Sequence, residues 1–115
     1  MNIPSLPGTL ARLRQTFDSG KTRPIEWRLA QLAEVERLMR EHEAELAEAL
    51  RLDLGKCRYE AVLTEMSFVE AEAKYARKNL RKWMRAKRVR TPLMAQPGHS
   101  YLWPEPKGVV LIIAP

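Results

Sequence analysis

The sequence predicts a mainly α-helical chain of three or four helices, followed by a β-hairpin and the first strand of a parallel sheet, and three observations predict it. Apolar residues recur at spacings of three and four from Leu6 to Trp83, the repeat of amphipathic helices. Prolines at 92, 97, 104 and 106 then exclude helix, because the ring removes a donor and clashes with the preceding turn. Last comes the uninterrupted apolar run Val109 to Ala114, which suits a strand covered on both faces.

Each element has its own signals. Leu6, Leu10, Leu13 and Phe17 share one face of a first helix, which Ser19-Gly20 ends. A second begins near Thr22 as a plausible N-cap, with Pro24 in the first turn and Glu26 nearby, where a carboxylate meets the positive end of the dipole. Ile25, Leu29, Leu32, Val35, Leu38 or Met39, His42, Leu46 and Leu50 keep helical spacing up to Gly55, a natural residue just past a helix end. This is one long helix, or two with a bend near His42. The third segment is the most regular: Tyr59, Val62, Met66, Val69, Ala73, Ala76, Leu80 and Trp83 alternate spacings of three and four. Such a seam fits a free coiled coil or a helix bundle, and the two alanines favour the close approach of a bundle. Beyond Arg90, "LMAQPGHSYLWPEP" reads as two short strands around a Gln96-Pro97-Gly98-His99 turn.

Composition narrows the class. At 45% hydrophobic and 30% charged over 115 residues, the chain is globular in character rather than disordered. The amino end has no continuous apolar segment of a secretory signal, and the longest apolar run falls far short of the roughly 20 residues of a membrane span. One cysteine, Cys57, excludes an internal disulfide. These features predict a cytoplasmic protein. The net charge of +6 is local: residues 1–73 hold thirteen acidic and ten basic side chains, whereas Lys74 to Arg90 hold nine basic and none acidic.

Candidate chemistry is sparse. His42 falls on an apolar helix face, where histidine is more often packed than catalytic, and His99 falls in a turn. Two histidines and one cysteine without ligand spacing make no zinc site. Cys57, between Lys56 and Arg58, has cations that favour a thiolate but no neighbouring histidine to act as base. The five glycines are isolated, which excludes phosphate-cradling loops. Glu41, Glu43, Glu45 and Glu48 read as a solvated helix face. The basic run, with Tyr75 and Trp83, has the ingredients of a nucleic-acid surface. A solvated helix end whose cations complement the dipole is the favoured reading, with at least one of the two rings in the core.

Four phrases in order, "FDSGKTRPIEWRLAQL", "EHEAELAEALRLDLGK", "EMSFVEAEAKYARKNLRKWM" and "PGHSYLWPEPKGVVLIIAP", resemble the amino-terminal region of class 3-type aldehyde dehydrogenases. The resemblance runs from about residue 5 to the last residue; Cys57 departs from it, standing where many relatives have proline. It implies an α/β fold by family, with residues 1–90 the helical part of the cofactor-binding domain, 91–106 a hairpin of the oligomerisation region, and 107–115 the first strand of a Rossmann-type sheet. It further implies NAD or NADP as cofactor, an aldehyde as substrate and a homodimer as the complete enzyme.

In the family a cysteine thiolate attacks the aldehyde, hydride passes to the nicotinamide, and a glutamate-activated water hydrolyses the thioester. Those residues lie beyond the Pro-Trp-Asn phrase that this sequence does not complete, so the resemblance assigns no catalytic residue or metal ligand here. It assigns only Ile113, Ala114 and Pro115, which align with the strand end and turn lining the cofactor cleft. That agrees with ligand binding at the carboxyl ends of strands. The implied function is that of an amino-terminal fragment, inactive alone. The alternative is a non-enzymatic basic module binding nucleic acid or protein through Lys74–Arg90.

Overall fold

A computed structural model describes residues 5–113. In chain order it contains helices α1 (Leu6–Asp18), α2 (Ile25–Glu41), α3 (Glu43–Leu54) and α4 (Arg58–Ala61), a π-helical turn at Val62–Met66, helix α5 (Ser67–Trp83), and strands β1 (Lys87–Val89) and β2 (Ser100–Leu102). A single 3-10 turn, Leu93–Ala95, lies between the strands. Two compact units emerge, one of residues 28–80 and the other of the segments flanking it.

In the unit of residues 28–80, the expected bend falls at His42. Its backbone leaves helical geometry at φ −110°, ψ 21°. Hydrogen bonds continue on either side, from the His42 N–H to the Leu38 carbonyl and from the Leu46 N–H to the His42 carbonyl, both 3.0 Å. Glu43 and Glu45 occupy the first turn of α3 and Arg51 its last, each matched to the sign of the helix end it meets. Gly55 closes α3 at φ 68°, a conformation that costs a residue with a Cβ about 1–2 kcal/mol. The chain can then turn back into α4.

The core of this unit is Ala47, Ala61 and Met66, packed by Met39, Leu46, Leu50 and Val62. Here the structure departs from the regular seam. Ala61 is 0% exposed, whereas Tyr59, expected on the seam, is 76% exposed. The cause is the π-turn: its wider winding brings residues five apart onto one face, and so aligns Ala61 with Met66. Downstream, Ala73 is buried as expected, but Val69 and Trp83 of the same seam are exposed, as is Tyr75 one position off a seam residue. Neither candidate aromatic ring is therefore a core residue.

In the flanking unit, α1 ends at Ser19-Gly20 as expected, with the Gly20 N–H donating to the Phe17 carbonyl at 3.0 Å. The Phe17 ring takes the Arg23 guanidinium above it, 5.8 Å from its centroid. It also lies against Gly108, where an added Cβ would stand 3.7 Å from the ring. Gly108 has φ 91°, so a glycine makes the turn that leads into the apolar run.

The hairpin forms, with its first strand displaced from the expected position. β1 pairs antiparallel with β2 in the register Lys87 with Leu102, Arg88 with Tyr101 and Val89 with Ser100. The segment expected to be that strand is instead the 3-10 turn at Leu93–Ala95. Pro92 and Pro97 flank it and neither can donate to a ladder, whereas Lys87–Val89 has all its N–H groups. Gly98 is required in the connection, because a Cβ there would come within 2.7 Å of the Ala95 carbonyl oxygen.

The expected strand at Val109–Ile113 is not formed. Among the described residues the only sheet is the β1–β2 pair, and Val110 to Ile113 are exposed. A strand exists only through a neighbour that takes its backbone hydrogen bonds, and the described residues offer it none.

Candidate functional site

The three residues that the family resemblance assigns to the cofactor cleft, Ile113, Ala114 and Pro115, come at the end of the apolar run in the sequence. Ala114 and Pro115 fall outside the described residues. Ile113 is 85% exposed, and an isoleucine side chain carries no donor, acceptor or nucleophile. Its chemical capacity is packing.

The other candidates are not brought together into a reacting group. His42 stands at the start of α3 with its side chain exposed, its Nδ1 3.0 Å from Glu45 Oε2. This corrects its expected place on an apolar face: the bend turns it outward. His99 is exposed as expected, and its Nδ1 accepts from Arg88 Nη2 at 2.9 Å. Cys57 is a free, exposed thiol on extended backbone immediately before α4. Among the described residues no three His, Cys, Asp or Glu side chains form a group able to hold a metal ion. No helix among them is long and apolar enough to cross a membrane.

Three cations of the basic run, Lys74, Arg77 and Arg81, are engaged in ion pairs. Lys74 Nζ reaches Glu70 at 2.8 Å and Arg81 approaches Glu26 at 3.9 Å. The hydrogen bond from Lys74 holds the Glu70 carboxyl below the usual carboxylate range, with Arg40 adding to the effect. Arg81 and Lys82 lie in the last turn of α5, the arrangement expected for cations that complement the dipole.

The best-built polar feature joins Glu36, which the sequence did not single out, to Arg77 of the basic run. Glu36 of α2 is only 3% exposed, and Arg77 of α5 grips it with two hydrogen bonds, Nε to Oε1 at 2.7 Å and Nη2 to Oε2 at 3.2 Å. A buried carboxylate requires such a partner, and the planar guanidinium supplies two parallel donors. Together with the Arg40–Glu70 pair at 3.9 Å, it sets α2 and α5 antiparallel. Lys56 of the loop after α3 likewise bonds Glu65 of the π-turn, which raises the lysine above its ordinary value. These groups hold helices in place and face no reacting centre. The faint signal that could have found Glu36 is an acidic residue immediately after Val35, on a helix face otherwise read as apolar.

Two of the depressions in the surface bear on the candidates. One, with a volume of about 560 Å³, is lined by Arg88, Arg90, Thr91, Leu93 and Gln96 of the hairpin, among others. The other, about 260 Å³, is an apolar groove beside the π-turn that includes Met39, Leu46, Leu50, Met66 and Val69. Neither joins a nucleophile to a base.

Comparison with known proteins places this architecture. The model of the "Aldehyde dehydrogenase family" matches residues 9–115. Over 107 residues the chain is 44% identical to "Aldehyde dehydrogenase family 3 member B1" of Bos taurus, covering 93% of this chain and 23% of that protein. It is 42% identical over 110 residues to the protein of the same name in Homo sapiens, covering 96% of this chain and 24% of the other. With "4,4'-diaponeurosporen-aldehyde dehydrogenase" of Staphylococcus aureus it shares 41% identity over 99 residues, 86% of this chain and 22% of that protein. A solved structure, "Substrate bound state of Staphylococcus Aureus AldH", superposes with a TM-score of 0.84 at 35% identity, over 92% of this chain and 23% of that one. The chain thus spans less than a quarter of the length of these relatives. It belongs to the aldehyde dehydrogenase family.

Proposed function

We propose that the chain forms the amino-terminal part of an NAD(P)-dependent aldehyde dehydrogenase, a cytoplasmic homodimer that oxidises aldehydes to carboxylic acids. The observation that carries this reading is the family match over residues 9–115, which leaves three quarters of each relative's length unmatched. The catalytic nucleophile, the general base and the phosphate-binding turn belong to that remainder.

The residues present fit a nicotinamide cofactor only as a packing wall. Ile113 offers an exposed apolar side chain, and the turn at Gly108, braced by the Phe17 ring, directs the run that carries it. When bound, the cofactor supplies the hydride acceptor, and this chain's part is to exclude water on one side of it. The dimer is supported by the hairpin, where Leu93, Met94, Tyr101, Leu102 and Trp103 are all exposed. A two-stranded sheet with uncovered apolar side chains is marginal alone, and a concentration of them marks a contact surface.

The test is to express the reading frame continued past the codon for Pro115, and separately the 115-residue chain, and to follow nucleotide reduction with aliphatic and aromatic aldehydes. The continued polypeptide is expected to reduce NAD or NADP and to elute as a dimer. Its failure with both nucleotides across both aldehyde classes overturns the activity, and turnover by the 115-residue chain overturns the placement of catalysis outside it.

A further inference from the structure

We draw no further inference here: the strongest candidate, the apolar groove beside the π-turn whose lining includes Met39, Leu46, Leu50, Met66 and Val69, is an unpartnered face, and nothing in the structure shows what covers it.

Discussion

The unit of residues 28–80 and the hairpin with its following apolar run solve the problem of burial in opposite ways. The first encloses a small core and a carboxylate, each satisfied by residues of the same unit. The second forms a ladder only three residues long, and Met94 at its connection is 98% exposed. Helices satisfy their backbone internally, so they reach their final form within a short piece of sequence. Strands satisfy theirs only through neighbours, so this region keeps its apolar residues exposed wherever the neighbour is not among its own.

The sharpest way to break this comparison is at Arg77. Replacing it with alanine leaves the Glu36 carboxylate buried without its guanidinium, and the expected loss is about 3 kcal/mol, the low end for a buried pair because Arg77 is itself half exposed. Urea unfolding followed by helical circular dichroism measures it; a midpoint unchanged from the parent would remove the ion pair from the account of this unit. Arg77→Lys should recover part of the loss, since a lysine keeps the charge but not the paired donors.

The next largest effect tests the π-turn. Ala61→Leu inserts three carbons into a site with no exposed surface, at an expected cost of about 1–3 kcal/mol. Tyr59→Ala, at the position that a regular seam would bury, should stay within about 0.5 kcal/mol. If the two costs were reversed, the helix would be regular and the turn absent.

A smaller and local effect belongs to the hairpin. Gly98→Ala sets a methyl against the Ala95 carbonyl oxygen, which should abolish the nuclear Overhauser contacts between Arg88 and Tyr101. The unfolding midpoint of the helices should not move. A simultaneous fall in that midpoint would mean that the two regions are not energetically separate.

The smallest effect is electrostatic. Glu70 titrates below the ordinary carboxylate value when folded, because Lys74 donates to it. A group whose folded pKa is depressed binds fewer protons than the unfolded chain does, so it stabilises above the unfolded value and loses that contribution as pH falls through the folded one. Lys74→Met should flatten the stability profile on the acidic side without changing it near neutrality by more than a surface pair is worth. An identical acid limb in parent and variant would show that the pair contributes nothing.

Legibility in the sequence followed the range of each interaction. The end of α1 at Ser19-Gly20, the bend at His42 and the close of α3 at Gly55 were all readable, because a cap, a break in spacing or a glycine acts within a few residues. The dipole-complementing end of α5 was readable for the same reason. Spacings of three and four around Tyr59, Val62 and Met66 also fit a regular helix, and only packing against α3 selects the register that buries Ala61 instead. The hairpin was legible as a hairpin, yet its first strand lay six residues before the one inferred from Leu93, since pairing depends on which segment can donate and not on which is more apolar.

What the amino-acid order determined by itself is therefore the helical content, the placement of the breaks and the family, all of which rest on local hydrogen bonding, capping and a sequence pattern carried residue by residue. Only the tertiary structure decided that Glu36 meets Arg77 across 41 positions and that the third helix carries a π-turn. It also decided that the apolar run through Ile113 finds no partner among the described residues. Each of these depends on what stands opposite a side chain or a backbone group, and local spacing carries no record of that.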